Sequence, residues 1–275
     1  MLLTLSSEHS ESPRNGASEI SEKDAHVISE DVRRSVAFWD IHQHMKPSKR
    51  IQKRRRLALT IKGVAGSLAE FRYYQGLHDV CLVMLEVAKD NVNEAVRFSN
   101  FILRNAFLHL MQTDFTSSLL PTVEQVKEIV RREDSQLSEI VEKSPTGYYV
   151  VIPWILTWFS HSVVSFDDLC RIFAFLAMAR DRDTVSLLCA SILICNRHNF
   201  EKAASESDSD YSRSEICLSA SVIDTAIALT KQLRPIRPKK QPLKPQRLTL
   251  VLFCLFVASA LFIPYMRLQF PDGFL

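Results

Sequence analysis

Glycine is scarce in this chain: its 275 residues hold only six, at positions 16, 63, 66, 76, 147 and 273. None belongs to a P-loop or a dinucleotide fingerprint, so binding free nucleotide phosphates in that way is excluded. The six cysteines include no CxxC pair and mostly sit inside apolar runs, among them 80–85 and 187–195. That pattern excludes a zinc site or a disulfide frame and predicts reduced core thiols. His42-x-His44 has no third ligand nearby and is expected on a solvated helix surface. HExxH and GxSxG patterns are absent, so neither zinc proteolysis nor serine-hydrolase chemistry is indicated. Period-two alternation is scarce, which argues against a sheet and for an all-α fold. The apolar start, residues 1–5, is too short for a signal peptide.

Apolar residues make up 47% of the chain and charged residues 24%, enough for a sizeable core. A net charge of +3 does not point to nucleic acid, and no nucleic-acid partner is expected. Between Arg247 and Arg267 lie nineteen uncharged residues, 248–266. As a helix they extend roughly 28 Å, near the hydrocarbon thickness of a bilayer. Seven Lys or Arg residues between 231 and 247 precede this run, and only Arg267 follows it. Positive charge stays on the cytosolic side, so the large N-terminal part is expected in the cytosol and residues 267–275 in the lumen. The shortness of the run favours the thin endoplasmic reticulum bilayer. Pro235, Pro238, Pro242 and Pro245 make residues 234–247 a stiff basic linker.

Residues 1–20 are polar and expected to be disordered. From Ser21 to Leu233 the pattern is helical. Ser21 and Asp24 have capping-box spacing, with Ile28, Val32 and Val36 as apolar positions of the helix that follows, and Ser165 and Asp168 have the same spacing before 169–179. Leu57, Ile61, Val64 and Leu68 repeat at helical spacing, and Gly76 marks a turn. Single helices are expected over 78–88, 95–111, 121–141, 169–179, 184–195 and 218–233, the apolar run 148–159 is expected to hold a buried helix begun near Pro153, and 201–215 is expected to be a loop. The basic run 46–56 is expected to be a solvated face near an acidic partner or a membrane surface.

Two short motifs carry more specific information. One is Ile28-Ser29-Glu30-Asp31-Val32-Arg33-Arg34; the other is Tyr73-Tyr74-Gln75-Gly76-Leu77-His78-Asp79-Val80. Together they resemble the IxxDxxR and YxQG motifs of the TBC family of Rab GTPase-activating proteins, complete and in order. Residues 151–161, with Trp154 and Trp158, look like the Trp-containing helix that follows in that family, and 166–173 resembles the next helix more loosely. With the C-terminal apolar run, the pattern is similar to the endoplasmic-reticulum-anchored branch of the family. The resemblance covers residues 21–197 and the anchor.

The resemblance implies a helical TBC-like domain over 21–233 plus one transmembrane helix. It implies GTPase activation on Rab proteins of the early secretory pathway in their GTP-bound state. Arg34 is then the arginine finger, neutralising charge that builds on the γ-phosphoryl group, and Gln75 is a second finger that orients the attacking water. Asp31, three residues before Arg34 on the same helical face, is expected to hold the guanidinium or its helix. Tyr73 and Tyr74 wall the site, Gly76 permits the turn that exposes Gln75, and Asp79 fixes that turn. No cofactor of its own is implied, since the partner Rab carries GTP and magnesium. The family's domain carries helices before the arginine motif, whereas 27 residues precede Ile28 here. A membrane-tethered scaffold that binds a Rab without stimulating it is therefore the alternative.

Overall fold

The computed structural model describes residues 20–68, 72–104, 115–144, 146–179, 183–205 and 216–233. The expected anchor at 248–266, the linker, the lumenal tail and all but the last residue of the expected disorder at 1–20 lie outside them. Among the described residues no helix is long and apolar enough to cross a membrane. Eleven α-helices and no strands appear there, as the missing alternation implied.

The helices are α1 (Glu22–Arg34), α2 (Pro47–Ser67), α3 (Leu77–Val87), α4 (Val92–Ile102), α5 (Phe115–Glu133), α6 (Ser135–Lys143), α7 (Ile152–Thr157), α8 (Phe166–Ala179), α9 (Asp183–Cys195), α10 (Arg197–Ser205) and α11 (Ala220–Leu233). Side-chain caps explain several starts. Ser21 Oγ accepts from Asp24 N at 3.1 Å and Ser165 Oγ from Asp168 N at 3.2 Å, as the sequence spacing predicts. Asn91 and Asp134 cap α4 and α6 in the same way. Pro47 opens α2, where a missing N–H loses nothing.

The packing falls into two groups that share one connected core. In the first, α2 lies against α1, α3 and α4; in the second, α9 lies between α5 and α11. Helix α7 touches both α3 and α9 and so joins the groups. Position between two helices explains why α9 is apolar nearly all round, with Leu188, Cys189, Ala190, Ile192 and Leu193 fully buried. On α2 the stripe Leu57, Ile61 and Val64 is completely excluded from solvent. Replacing Leu57 by alanine is expected to lower the unfolding free energy of the chain by about 2–5 kcal/mol, read from denaturant titrations; a loss below about 1 kcal/mol would contradict this packing.

Several boundaries differ from the sequence reading. Helix α1 ends at Arg34 and does not run to Val36, which adopts a left-handed φ of 65°. The single helix expected over 121–141 is two, with Pro121 inside the first and Asp134 capping the second. Asp134 wins because its side chain satisfies a backbone N–H only where the helix breaks. In the run 148–159 a 3₁₀ segment (Gly147–Val151) precedes the short α7, which begins beside Pro153 as expected but stops early, at left-handed Trp158 and Phe159. Helix α10 occupies the first part of the expected loop at 201–215. Within 95–111, α4 ends at Ile102 and residues 105–114 lie outside the described set.

Two polar expectations are also corrected. The basic run is not a uniformly solvated face: it forms the first half of α2, and Lys53 is buried with its Nζ 2.7 Å from Glu86 Oε2. His42 is buried too, and its Nε2 lies 2.8 Å from Glu86 Oε1, whereas its neighbour His44 is exposed. Burial by itself would raise the Glu86 carboxyl; the His42 and Lys53 hydrogen bonds outweigh it and hold the group below the usual carboxylate value. Cys81, Cys170 and Cys189 are buried free thiols, as expected for core cysteines, but Cys217 is exposed.

Candidate functional site

The last turn of α1 and the turn before α3 meet at one buried carboxylate. Asp31 is 3% exposed. Its Oδ1 accepts from Arg34 Nη2, and its Oδ2 accepts from the Tyr73 hydroxyl at 2.7 Å. His78 completes the junction: Nδ1 lies 3.2 Å from Asp31 Oδ2 and 3.1 Å from the Tyr73 hydroxyl oxygen, and Nε2 lies 3.2 Å from Asp79 Oδ1. Asp79 Oδ2 in turn lies 3.4 Å from His161 Nδ1. Tyr73 precedes Gln75 by two residues and His78 follows it by three, so the Gln75 turn is tied at both ends to the carboxylate that holds Arg34.

Electrostatics follow from burial. Desolvation would raise the Asp31 carboxyl, but hydrogen bonds from His78 and Tyr73, then the charges of His78 and Arg34, outweigh it and leave it below its ordinary value. Burial first, and the Asp31 hydrogen bond second, push the Tyr73 phenol far up, so it remains a donor. With Oδ2 pinned from the interior, Asp31 meets Arg34 through Oδ1 alone. The Arg34 side chain is half exposed, and Gln75 is exposed.

Backbone details aim these groups. Arg54 on α2 donates from Nε and Nη2 to the Ser35 carbonyl at 3.1 and 3.0 Å, clamping the residue after Arg34. Ser35 Oγ donates back to the Asp31 carbonyl at 2.6 Å, closing α1. Gly76 has φ 111°, where side chains are strained, and an added Cβ would lie 2.8 Å from Thr157 Cγ2. Tyr74 is buried and donates to the Leu156 carbonyl at 3.1 Å, so it fastens the turn to α7. Gly76→Ala is expected to lower thermal stability by about 1–3 kcal/mol, since it combines backbone strain with the Thr157 clash; an unchanged melting temperature would remove the structural reason for glycine here.

All seven sequence-derived residues thus lie on α1, on the Gln75 turn or at the start of α3. The structure adds His78, His161 and Arg54. His78 stood inside the second motif, but helical periodicity reports only that it is inward-facing and says nothing of two carboxylates around it. Arg54 was hidden in the basic run.

The described residues thus form an all-helical domain with a half-exposed arginine and an exposed glutamine set around one buried carboxylate. The chain belongs to the Rab-GTPase-TBC domain family, whose model matches residues 4–201. It is similar to the GTPase-activating protein gyp10 of Schizosaccharomyces pombe, at 27% identity over 208 residues, 73% of this chain and 52% of that protein. It is also similar to TBC1 domain family member 20 of Mus musculus, at 24% identity over 157 residues, 56% of this chain and 37% of that protein. The same-named Homo sapiens protein is 24% identical over 110 residues, 38% of this chain and 26% of that protein. The chain spans about half the length, or less, of these curated relatives.

Proposed function

We propose that this chain is a GTPase-activating protein that stimulates GTP hydrolysis on a Rab GTPase by inserting Arg34 and Gln75 into the partner's nucleotide site. The observation that carries this reading is the Asp31 junction, which binds Arg34 on one oxygen and the flanks of the Gln75 turn on the other. Two groups that must enter one pocket together are thereby built on one rigid support. The name of the similar yeast protein points the same way.

Hydrolysis spreads negative charge over the γ-phosphoryl oxygens, and a guanidinium delivered from outside neutralises it. Arg34 meets phosphate oxygens with its exposed donors while Asp31 keeps the side chain extended and its helix end fixed. The Gln75 amide accepts from the attacking water and donates to another oxygen of the site. GTP and magnesium belong to the partner. We place the chain at the endoplasmic reticulum membrane, held by residues 248–266 with the helical domain in the cytosol, and acting on Rabs of the early secretory pathway.

Single-turnover hydrolysis with purified GTP-loaded Rab GTPases tests the reading. At least one Rab is expected to be accelerated by the wild type and hardly at all by Arg34→Ala or Gln75→Ala. Binding without acceleration would establish the scaffold instead. A glycosylation acceptor fused after Leu275 is expected to be modified; an unmodified tail would contradict the lumenal placement.

A further inference from the structure

Beside the two proposed fingers lies a ledge of exposed apolar side chains. Phe38 is 44% exposed, Ile41 45% and Val164 44%, and His161 is also open to solvent. These residues come from segments more than a hundred positions apart, yet they are pinned together. Trp39 Nε1 donates to the Ser160 carbonyl at 2.8 Å, Asp40 N to the Val164 carbonyl at 3.0 Å, and Phe166 N to Asp40 Oδ1 at 3.1 Å. The Phe38 ring stacks on His161 at 5.8 Å with an interplanar angle of 16°.

Both segments also hold strained backbone. Val36, Trp158 and Phe159 all have left-handed φ, at 65°, 47° and 69°. Such conformations in β-branched or aromatic residues cost of order 1–3 kcal/mol each and persist only where the surroundings enforce them. Here the turns bury Val36, Trp39 and Phe159 and leave Phe38 outside. An exposed aromatic held on a rigid, strained support is the arrangement of a recognition anchor.

We infer that Phe38, Ile41, His161 and Val164 form the docking ledge for the GTP-bound GTPase, an inference that rests on the function proposed above. Continuity supports this occupant. His161 reaches Asp79, and Asp79 and Asp31 flank His78, so a chain of charged and polar contacts links the ledge to the carboxylate that holds Arg34. Phe38 follows Arg34 by four residues. Arginine also borders the ledge, since Arg34 precedes Phe38 and Arg50 Nη2 donates to the His42 carbonyl at 3.0 Å; what favours a protein over a bilayer is continuity with the proposed fingers, and anionic-vesicle binding is the outcome that would overturn it. The partner surface is accordingly apolar, and one that the γ-phosphate orders is selected in the GTP form.

The test uses the full chain in detergent with a panel of Rab GTPases loaded with GTP, and with a non-hydrolysable analogue for direct binding. Phe38→Asp and Val164→Asp lie on separate segments, and exposed sites of this kind tolerate substitution, so at least one variant should retain the wild-type melting temperature. Each is expected to raise the GTPase concentration at half-maximal rate about tenfold or more while leaving the rate at saturation nearly unchanged, the signature of lost uniform binding. Arg34→Ala is expected to do the reverse. A half-saturating concentration within twofold of wild type for the folded variants would overturn the ledge. So would a loss confined to the saturated rate, or a loss only of anionic-vesicle binding or of self-association. If the wild type binds a GTPase without accelerating it, the activator reading fails, but the ledge is still decided by whether Phe38→Asp abolishes that binding. If the wild type binds none, both fall.

Discussion

Replacing Arg34 by alanine is expected to cut the stimulated hydrolysis rate by about 10³-fold or more, with binding to the GTP-loaded partner retained. The size follows from where the charge sits. Arg34 is half exposed and makes one described ion pair, with Asp31, so its removal leaves the core intact. What disappears is a positive charge brought into a water-poor site as the phosphoryl oxygens become more negative. Arg34→Lys is expected to recover little, since an ammonium cannot meet two oxygens side by side while its helix end stays clamped by Asp31 and Arg54. Gln75→Ala is expected to lose about 10²–10³-fold, the usual scale for one oriented polar group at a transition state. Rates from single-turnover quench experiments decide both; a residual stimulation within tenfold of wild type for Arg34→Ala would rule out the finger.

The second large effect is expected at Asp31. Alanine there removes the shared acceptor of Arg34, Tyr73 and His78, and leaves the two interior groups only each other and, for His78, Asp79. Breaking a buried polar junction from one side typically costs about 3–5 kcal/mol. Chemical denaturation of Asp31→Ala is expected to show a loss of that order, together with slower stimulated hydrolysis at unchanged partner affinity. A loss under about 1 kcal/mol would mean that the junction does not hold α1 to the Gln75 turn. The pH dependence has a defined sign. The folded Asp31 carboxyl titrates below its ordinary 3.8. Its contribution to stability is therefore complete above that value and is lost as the pH falls through the lowered folded one. The gap between wild type and Asp31→Ala is expected to be full near neutrality and to narrow only in strong acid.

Helix existence was legible wherever apolar residues recur at 3.6 spacing, as along Leu57, Ile61 and Val64, which are indeed buried on α2. Caps at Ser21 and Ser165 were legible because a side chain and a backbone N–H three residues apart make a purely local bond. Breaks were harder. The split between α5 and α6 at Asp134 and the early stop of α7 at Trp158 depend on which neighbour each segment packs against, and periodicity alone extends a helix past such points. Charge was the least legible. A run such as 46–56 reads as solvent-facing, yet Lys53 finds Glu86 and Arg54 finds the Ser35 carbonyl, and neither partner is near in sequence.

By itself the sequence determined that the described chain is helical, that free nucleotide has no phosphate loop to bind, and that an arginine and a glutamine stand in two family motifs. It also marked the uncharged stretch at 248–266. Tertiary structure decided that these motifs share one carboxylate, that His78 lies between Asp31 and Asp79, and that Phe38 is held outward against His161. The division has a physical cause. Periodicity and capping act over a few residues and disclose which face turns inward, whereas a buried polar group is satisfied by whatever partner the packing brings, 42 positions away for Tyr73 and Asp31 and 121 for Trp39 and Ser160.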